Sequence, residues 1–203
     1  MKIAVVGFGS VGQGLATILR DKRREIAELQ GADIEIAAVV TRSRGSLYHP
    51  NGLDPAELLN AVARGGLNAY PDRPGLQRGL SAEETAALST IDVLVEVSPT
   101  NLQTAQPALG LCYTALSHRK HVVLANKGPV ALDYVNLMAR ARQVNRRVLF
   151  EGTVMSGTPS LRLALEALAG CKITRVRGIV NGTTNYMLTQ MEQGRAYADV
   201  LAE

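Results

Sequence analysis

Two short segments contain the residues that could take part in chemistry. Lys127 follows the apolar run 121–125, so a cation stands where a buried strand passes into a loop. Near the amino terminus, three glycines are spaced as Gly-x-Gly-x-x-Gly over residues 7–12. An ammonium group can polarise a carbonyl oxygen and pass on a proton, and a glycine loop of this spacing can hold a dinucleotide pyrophosphate. Together they predict reduction of a carbonyl by a nicotinamide cofactor.

The glycine motif is informative because of the elements on either side of it. An apolar run over residues 2–6 predicts a buried parallel strand, and a helix is predicted to start at about Ser10. In such a turn the glycines permit a tight bend and close approach of the pyrophosphate, and the helix supplies oriented N–H groups. The alternative is a glycine-rich turn that binds nothing. The predicted cofactor contacts here are Gly7, Phe8, Gly9, Ser10, Val11 and Gly12.

The residues after the second predicted strand bear on the choice of cofactor. NAD enzymes usually place an Asp or Glu at this point, where it bonds to the ribose 2′-hydroxyl. Residues 41–44 read Thr-Arg-Ser-Arg and contain no carboxylate. Because a guanidinium is well shaped to hold a 2′-phosphate, Arg42 predicts NADP in preference to NAD, which stays possible. The alternative is that Arg42 and Arg44 are solvated loop cations.

Further candidates lie after the next predicted strand, at the edge where open α/β sheets bind ligands. Ser98 and Thr100 are predicted to contact the cofactor's ribose or amide. Thr100 or Asn101 could instead cap the following helix. Lys127 should reach the same edge, and we predict that it contacts the cofactor and acts in catalysis; a surface lysine without a role is the alternative.

These candidates require a scaffold whose parallel strands end at one edge. Apolar runs predict strands at residues 2–6, 34–41, 92–97, 121–125 and 147–151, and amphipathic segments predict helices at about 10–30, 82–88, 102–117 and 129–144. Residues 43–80 fit this alternation poorly, and we expect a surface excursion of variable geometry with one short helix over 54–64. We predict an α/β fold with a doubly wound parallel sheet (Rossmann). Residues 1–150 are predicted to form this NAD(P)-binding domain.

The pattern changes after residue 150. Small residues fill 151–159, and helices are predicted over 160–168 and from Asn181 to about 194, with a strand over 173–180 between them. A last helix begins near residue 196 and is still running at Glu203. We interpret residues 151–203 as the beginning of an α+β substrate and dimerisation domain, and we expect the chain to be part of a longer protein.

Composition narrows the classes of protein and partner. The chain has 203 residues, of which 46% are hydrophobic and 20% charged, as in ordinary globular proteins. Its formal net charge of +4 comes without a long block of like charges, and no apolar stretch reaches the length of a membrane span, so we expect neither a nucleic acid nor a membrane as partner. No signal peptide is evident, and Cys112 and Cys171 lie in apolar surroundings that suit reduced, buried thiols. These features predict a cytoplasmic protein.

Four segments, in this order along the chain, resemble homoserine dehydrogenase. They are the glycine loop at 7–12, Ala-Asn-Lys at 125–127, Glu-Gly-Thr-Val-Met-Ser-Gly-Thr-Pro at 151–159, and Gly-Ile-Val-Asn-Gly-Thr-Thr-Asn-Tyr-Met-Leu at 178–188. The last two are the most specific, because other Rossmann reductases do not carry them together. The resemblance runs along the whole chain and is weakest over residues 43–80.

This resemblance implies an NAD(P)-dependent oxidoreductase, homodimeric at full length, that interconverts aspartate 4-semialdehyde and homoserine on the route to threonine and methionine. Lys127 matches the family lysine placed beside the nicotinamide and the substrate. The resemblance also implies a structural monovalent cation, sodium or potassium; the alternative is a turn that only links two domains. Its implied ligands are Glu151 and the backbone oxygens of Val154, Ser156 and Thr158.

The chain departs from the family at its carboxyl end. The family's Glu and Asp that hold the substrate amino group, and a second lysine, come after the last residue, Glu203. We therefore expect the 203-residue chain to bind NADP and to turn over poorly or not at all. Two other interpretations are another NAD(P)-dependent amino-acid dehydrogenase and a non-catalytic nucleotide-binding module. Segments 151–159 and 181–185 count against the first, and robust turnover by this chain would exclude the second.

Overall fold

The computed structural model describes residues 1–203, which form two compact units. The first unit is Met1–Thr153 and the second is Val154–Glu203. The division lies close to the predicted domain boundary after residue 150.

The first unit is built on one seven-stranded sheet. Its strands are β1 (Lys2–Val6), β2 (Glu35–Val40), β3 (Ser46–Tyr48), β4 (Gln77–Arg78), β5 (Val93–Glu96), β6 (His121–Leu124) and β7 (Val148–Leu149). Their order is β4-β3-β2-β1-β5-β6-β7, and β2, β1, β5, β6 and β7 run parallel. The chain order reverses between β1 and β5, and ligands of open α/β sheets bind in the crevice at such a switch point.

Helices cover both faces of this sheet. They are α1 (Ser10–Gln30), α2 (Pro55–Ala63), α3 (Ala82–Ala87), α4 (Ala108–Ser117) and α5 (Gly128–Gln143). Because side chains alternate along a strand, Ile3 and Val5 pack in one core with α1 and α2, whereas Ala4 and Val6 pack in the other with α3, α4 and α5. The predicted doubly wound Rossmann architecture is confirmed.

The segment 43–80 differs from the predicted surface excursion. It adds β3 antiparallel to β2 and β4 antiparallel to β3, so the sheet is mixed at this edge. Six large apolar or aromatic side chains of the segment are buried: Leu47, Tyr48, Leu53, Leu58, Leu67 and Tyr70. Its strands of three and two residues are too short to show an alternating pattern, and the packing of α2 and a 3-10 turn at Leu67–Ala69 holds them in place.

The second unit contains three short helices. Helix α6 (Ser160–Arg162) continues as a π-helical turn over Leu163–Ala167, and α7 (Gly182–Glu192) packs on α8 (Tyr197–Ala202). The strand predicted over residues 173–180 is wrong, because this segment pairs with no other strand of the structure and its residues are exposed. Cys171 is also exposed, contrary to the expectation of a buried thiol, whereas Cys112 is buried.

None of the helices combines the length and the apolar composition that crossing a membrane requires.

Candidate nucleotide-binding and catalytic site

The turn between β1 and α1 is held by a glycine that no other residue could replace without strain. Gly7 has a φ of +95°, and its amide donates to the carbonyl of Val40 at 2.8 Å. A Cβ on Gly7 would lie 2.7 Å from the amide nitrogen of Ser98. The glycine therefore lets the turn after β1 pack directly on the backbone that follows β5.

The other two glycines of the motif, Gly12 and Gly9, have different structural roles. A Cβ on Gly12 would lie 2.6 Å from the carbonyl oxygen of Gly7, so this glycine lets α1 start close to the turn. Gly9 is the N-cap of α1, and a Cβ there would meet no atom within 4 Å. The amino end of a 21-residue helix thus faces open space, with no acidic residue in its first turn. This arrangement suits an anionic pyrophosphate.

The remaining residues of the predicted contact set divide between core and surface. Phe8 is 3% exposed and packs in the core with α1, whereas Ser10 and Val11 are exposed in the first turn of α1. Phe8 offers only backbone at the open side, where its carbonyl accepts from the side-chain amide of Gln13 at 3.1 Å.

A second turn stands at the same edge, after β2. Thr41 closes it, since its hydroxyl donates to the carbonyl of Gly45 at 2.8 Å and accepts from the amide of Arg44 at 2.8 Å. Arg42, Ser43 and Arg44 are exposed at its apex. Because β2 pairs with β1, these guanidinium groups belong to the strand end next to the glycine turn.

A carboxyl group lies buried where β5 ends. Glu96 is 0% exposed and shares the strand face of Leu94, so it points into the core formed with α3, α4 and α5. Its Oε1 accepts from the amide of Ser98 at 2.8 Å, from the Ser98 hydroxyl and from Nδ2 of Asn126 at 3.4 Å. Oε2 has no hydrogen-bond partner. Burial raises the pKa of Glu96, and the bonds from Ser98 and Asn126 offset part of that rise.

Asn126 connects this carboxyl group to the loop after β6. Its side chain is 2% exposed, and Nδ2 also lies 3.2 Å from the carbonyl oxygen of Ser98 and 3.4 Å from that of Pro99. Its Oδ1 accepts from the amide of Gly128 at 3.0 Å. One amide side chain therefore holds the loop after β5 and the start of α5 together.

Lys127 is exposed and immediately precedes α5. Its backbone amide donates to Oγ1 of Thr100 at 3.3 Å. The next residue, Gly128, is closely packed, since a Cβ there would lie 3.0 Å from the carbonyl oxygen of Asn101 and 3.1 Å from Ala105. The backbone that carries the lysine is thus fixed, while its side chain is accessible.

The structure gives the polar residues after β5 specific contacts. The Ser98 hydroxyl donates to Glu96, and thus toward the interior. Oδ1 of Asn101 accepts from the amides of residues 103 and 104 and caps a turn. The helix predicted from about residue 102 begins only at Ala108, so the alternative that Asn101 caps this helix is wrong. No contact in the structure tests the predicted cofactor roles of Ser98 and Thr100.

The glycine turn, the arginine turn and the lysine loop all follow parallel strands at their carboxyl ends, so one edge of the sheet brings them together. Such an edge can bind a dinucleotide and present a proton donor beside it. The sequence pattern alone predicts no role for Glu96 or Asn126. The available signal was a carboxylate ending the apolar strand Val93–Glu96, because such a residue is rarely buried without a purpose.

The implied cation ligands fall into both units. Glu151 opens a 3-10 turn, Glu151–Thr153, in the first unit. Val154, Ser156 and Thr158 belong to the second unit, where Ser156 has a φ of +53° and the carbonyl of Thr158 accepts from the amide of Ser160 at 2.7 Å. Carboxylate and carbonyl oxygens are suitable ligands for a hard cation.

Two family descriptions match this chain. The family described as "Homoserine dehydrogenase, NAD binding domain" matches residues 7–151, and the family described as "Homoserine dehydrogenase" matches residues 159–203.

Curated relatives agree with these matches. The NAD(+)-dependent homoserine dehydrogenase of Pseudomonas canavaninivorans is 39% identical over 100% of this chain and 57% of that protein. The homoserine dehydrogenase of Methanocaldococcus jannaschii is 37% identical over 95% of this chain and 56% of that protein. The chain therefore spans little more than half the length of these relatives.

Solved structures show the same fold. A putative homoserine dehydrogenase from Archaeoglobus fulgidus has a TM-score of 0.80 at 33% identity, covering 100% of this chain and 58% of its own. A hyperthermophilic archaeal homoserine dehydrogenase in complex with NADPH has a TM-score of 0.83 at 29% identity, covering 99% of this chain and 59% of its own.

Proposed function

The chain belongs to the homoserine dehydrogenase family, and on that premise we propose that the full-length protein transfers a hydride between a nicotinamide cofactor and the pair L-aspartate 4-semialdehyde and L-homoserine. In this proposal residues 1–150 bind the nucleotide and residues 151–203 begin the substrate domain. The observation that carries it is the shared sheet edge, where the glycine turn contacts Ser98 and the Lys127 amide bonds to Thr100.

The chain's own residues suit the cofactor. Gly9 leaves the amino end of α1 open for the pyrophosphate, and Ser10 and Val11 line the exposed first turn of that helix. Gly7 and Gly12 keep the turn close to the sheet and the helix close to the turn. A bound nicotinamide cofactor would supply or accept the hydride.

Lys127 would act on the substrate oxygen. Its ammonium group would hold a proton beside the aldehyde oxygen, stabilise negative charge as it develops there and release the proton to form the hydroxyl. In the opposite direction the amine would take that proton. Thr100 and Gly128 fix the lysine's backbone, so the proton is presented from one place.

We propose that the full-length protein prefers NADP to NAD. The support is the exposed pair Arg42 and Arg44 at the end of β2, where no carboxylate competes for the ribose. Relatives differ in the cofactor that their names state: one is NAD(+)-dependent, and another was solved with NADPH. The guanidinium groups of this chain are therefore the basis for the preference.

We also propose that the full-length protein is a homodimeric, cytoplasmic enzyme of threonine and methionine biosynthesis. We propose in addition that it contains a structural monovalent cation, held by Glu151 and the carbonyl oxygens of Val154, Ser156 and Thr158. Initial rates in potassium, sodium and choline chloride at equal ionic strength test the cation. We expect lower rates in choline, and a higher half-activating potassium concentration in Glu151→Ala. Equal rates in all three salts would refute the cation site.

The reaction is tested with the full-length protein, homoserine and either NADP⁺ or NAD⁺, in wild type and Lys127→Ala. We expect homoserine oxidation by wild type and a kcat lower by about 10²–10⁴-fold in the variant, with NADPH still bound. Lys22→Ala is the matched control, because Lys22 is an exposed lysine on α1, away from the glycine turn at the start of that helix. Nucleotide binding without homoserine turnover by wild type would refute the proposed reaction and favour a non-catalytic module.

A further inference from the structure

We propose that Glu96 is a positioning residue: its buried carboxyl group holds the loop after β5 and the loop after β6 in register and thereby fixes the backbone of Lys127. This inference rests on the proposed function, because it assigns Lys127 a catalytic role.

The chemical surroundings of Glu96 do not match a residue retained for packing alone. A carboxyl group is expensive to bury, and an apolar side chain would fill the same core position at lower cost. All hydrogen-bond partners of Glu96 are neutral, and none is a cation that would compensate a charge. Oε2 is buried without a partner. We infer that the hydrogen bonds accepted by Oε1 offset the unfavourable free energy of burying this carboxyl group.

Those bonds lead to both loops. Oε1 accepts from the amide and the hydroxyl of Ser98, which begin the loop that contains Thr100. It also accepts from Nδ2 of Asn126, whose Oδ1 accepts from the amide of Gly128. The residues on both sides of Lys127 are therefore bonded into one network that contains a single carboxyl group.

The position of a long, flexible lysine side chain depends on where its Cα is held. The amide of Lys127 donates to Thr100, in the loop that Ser98 begins, so the two loops must keep their relative position for that bond to persist. A displacement of about 1 Å at a reacting group can lower a rate by about 10²-fold. Loss of the Glu96 bonds should therefore lower kcat without removing any group that touches the substrate.

The ionisation of this carboxyl group agrees with a hydrogen-bonding role. Burial raises the pKa of Glu96, which favours the neutral acid. The titratable group that faces it from α4 is the Cys112 thiol, whose pKa is raised to about 12, chiefly by burial. A glutamine side chain has the same shape as this carboxyl group and keeps one accepting oxygen in the place of Oε1. Glu96→Gln should therefore retain the network, whereas Glu96→Ala removes it.

The experiment measures kcat, KM and Tm for full-length wild type, Glu96→Gln and Glu96→Ala. Leu116→Ala is the control, because Leu116 is fully buried on α4 in the same core and has no polar contact with the loops. We expect Glu96→Ala to lower kcat by about 10–100-fold and Glu96→Gln to keep most of it. Leu116→Ala should lower Tm and leave kcat unchanged.

Five outcomes separate the possibilities. If Glu96→Ala lowers Tm as much as Leu116→Ala does but leaves kcat unchanged, Glu96 has a purely structural role and the proposal is overturned. The proposal is also overturned if Glu96→Gln has as little activity as Glu96→Ala. In the double variant with Asn126→Ala, a kcat no lower than that of the worse single variant would support one shared network, and fully additive losses would overturn it. Wild type without homoserine turnover would instead refute the reaction on which this inference depends.

Discussion

Gly7 and Ser98 contact each other backbone to backbone: a Cβ on Gly7 would lie 2.7 Å from the amide nitrogen of Ser98 and 2.8 Å from its Cα. The same Ser98 amide donates to Glu96. The glycine turn thus packs on the loop that is hydrogen-bonded to the buried carboxyl group of Glu96. A substitution in the turn should therefore displace that loop as well.

Gly7→Ala should therefore destabilise the protein strongly. The φ of +95° is strained for any L side chain, and the contact is with backbone, which cannot move aside as a side chain can. We expect a loss of more than about 2 kcal/mol in the free energy of unfolding. Gly14→Ala is the matched control, because its Cβ would meet nothing inside α1; it should stabilise by up to about 1 kcal/mol. Thermal unfolding measures the Tm of both variants, and equal Tm values would contradict the predicted destabilisation by Gly7→Ala.

Gly9→Ala should separate nucleotide binding from stability. The added methyl group enters open space at the N-cap of α1, so the free energy of unfolding should change by no more than about 1 kcal/mol. The same methyl group occupies the space that the pyrophosphate would need, and we expect NADPH affinity to fall at least about tenfold. Titration of the full-length variant measures this. Unchanged affinity would mean that the nucleotide does not approach α1 at Gly9.

The double substitution Arg42→Ala with Arg44→Ala should change cofactor preference. Hydrogen bonds to a charged group contribute about 1.5–3 kcal/mol, so kcat/KM for NADP⁺ should fall about 10–100-fold. NAD⁺ lacks the 2′-phosphate, and its kcat/KM should hardly change. Arg24→Ala, an exposed arginine on α1, serves as control. A parallel fall with both cofactors would show that these arginines do not contact the 2′-phosphate.

Stability should depend on pH through Glu96. Its pKa in the folded protein is raised above the ordinary value of 4.5, so between these two values the folded state holds a proton that the unfolded state has released. Stability from this group is complete below pH 4.5 and is lost as pH rises through the folded-state pKa, by at most about 1.4 kcal/mol per pH unit. The Tm of wild type minus that of Glu96→Gln should therefore decrease as pH rises from 4.5. A difference that increases with pH would mean that the group is buried as a stabilised anion.

The glycine turn between β1 and α1 could be predicted from the sequence because its determinants are local. The apolar strand, the spaced glycines of residues 7–12 and the helix that follows are one continuous segment, and the short-range sterics of glycine define the turn. Lys127 likewise lies in the loop that follows its strand. Parallel strands place such segments at one edge, so their proximity followed from the pattern of strands and helices.

Other features became visible only in the tertiary structure, because they depend on residues distant in sequence. Strands β3 and β4 are too short to show a sequence pattern of their own, and they form because β3 pairs with β2 and β4 pairs with β3. Residues 173–180 have strand-like composition, but a strand also requires a partner for its backbone groups, and none pairs with them. Glu96 ends β5 and Asn126 lies in the loop after β6, and only the adjacent ends of these two strands bring them into one network. Sequence thus determined which residues could bind and react, whereas tertiary packing decided which buried groups hold them in place.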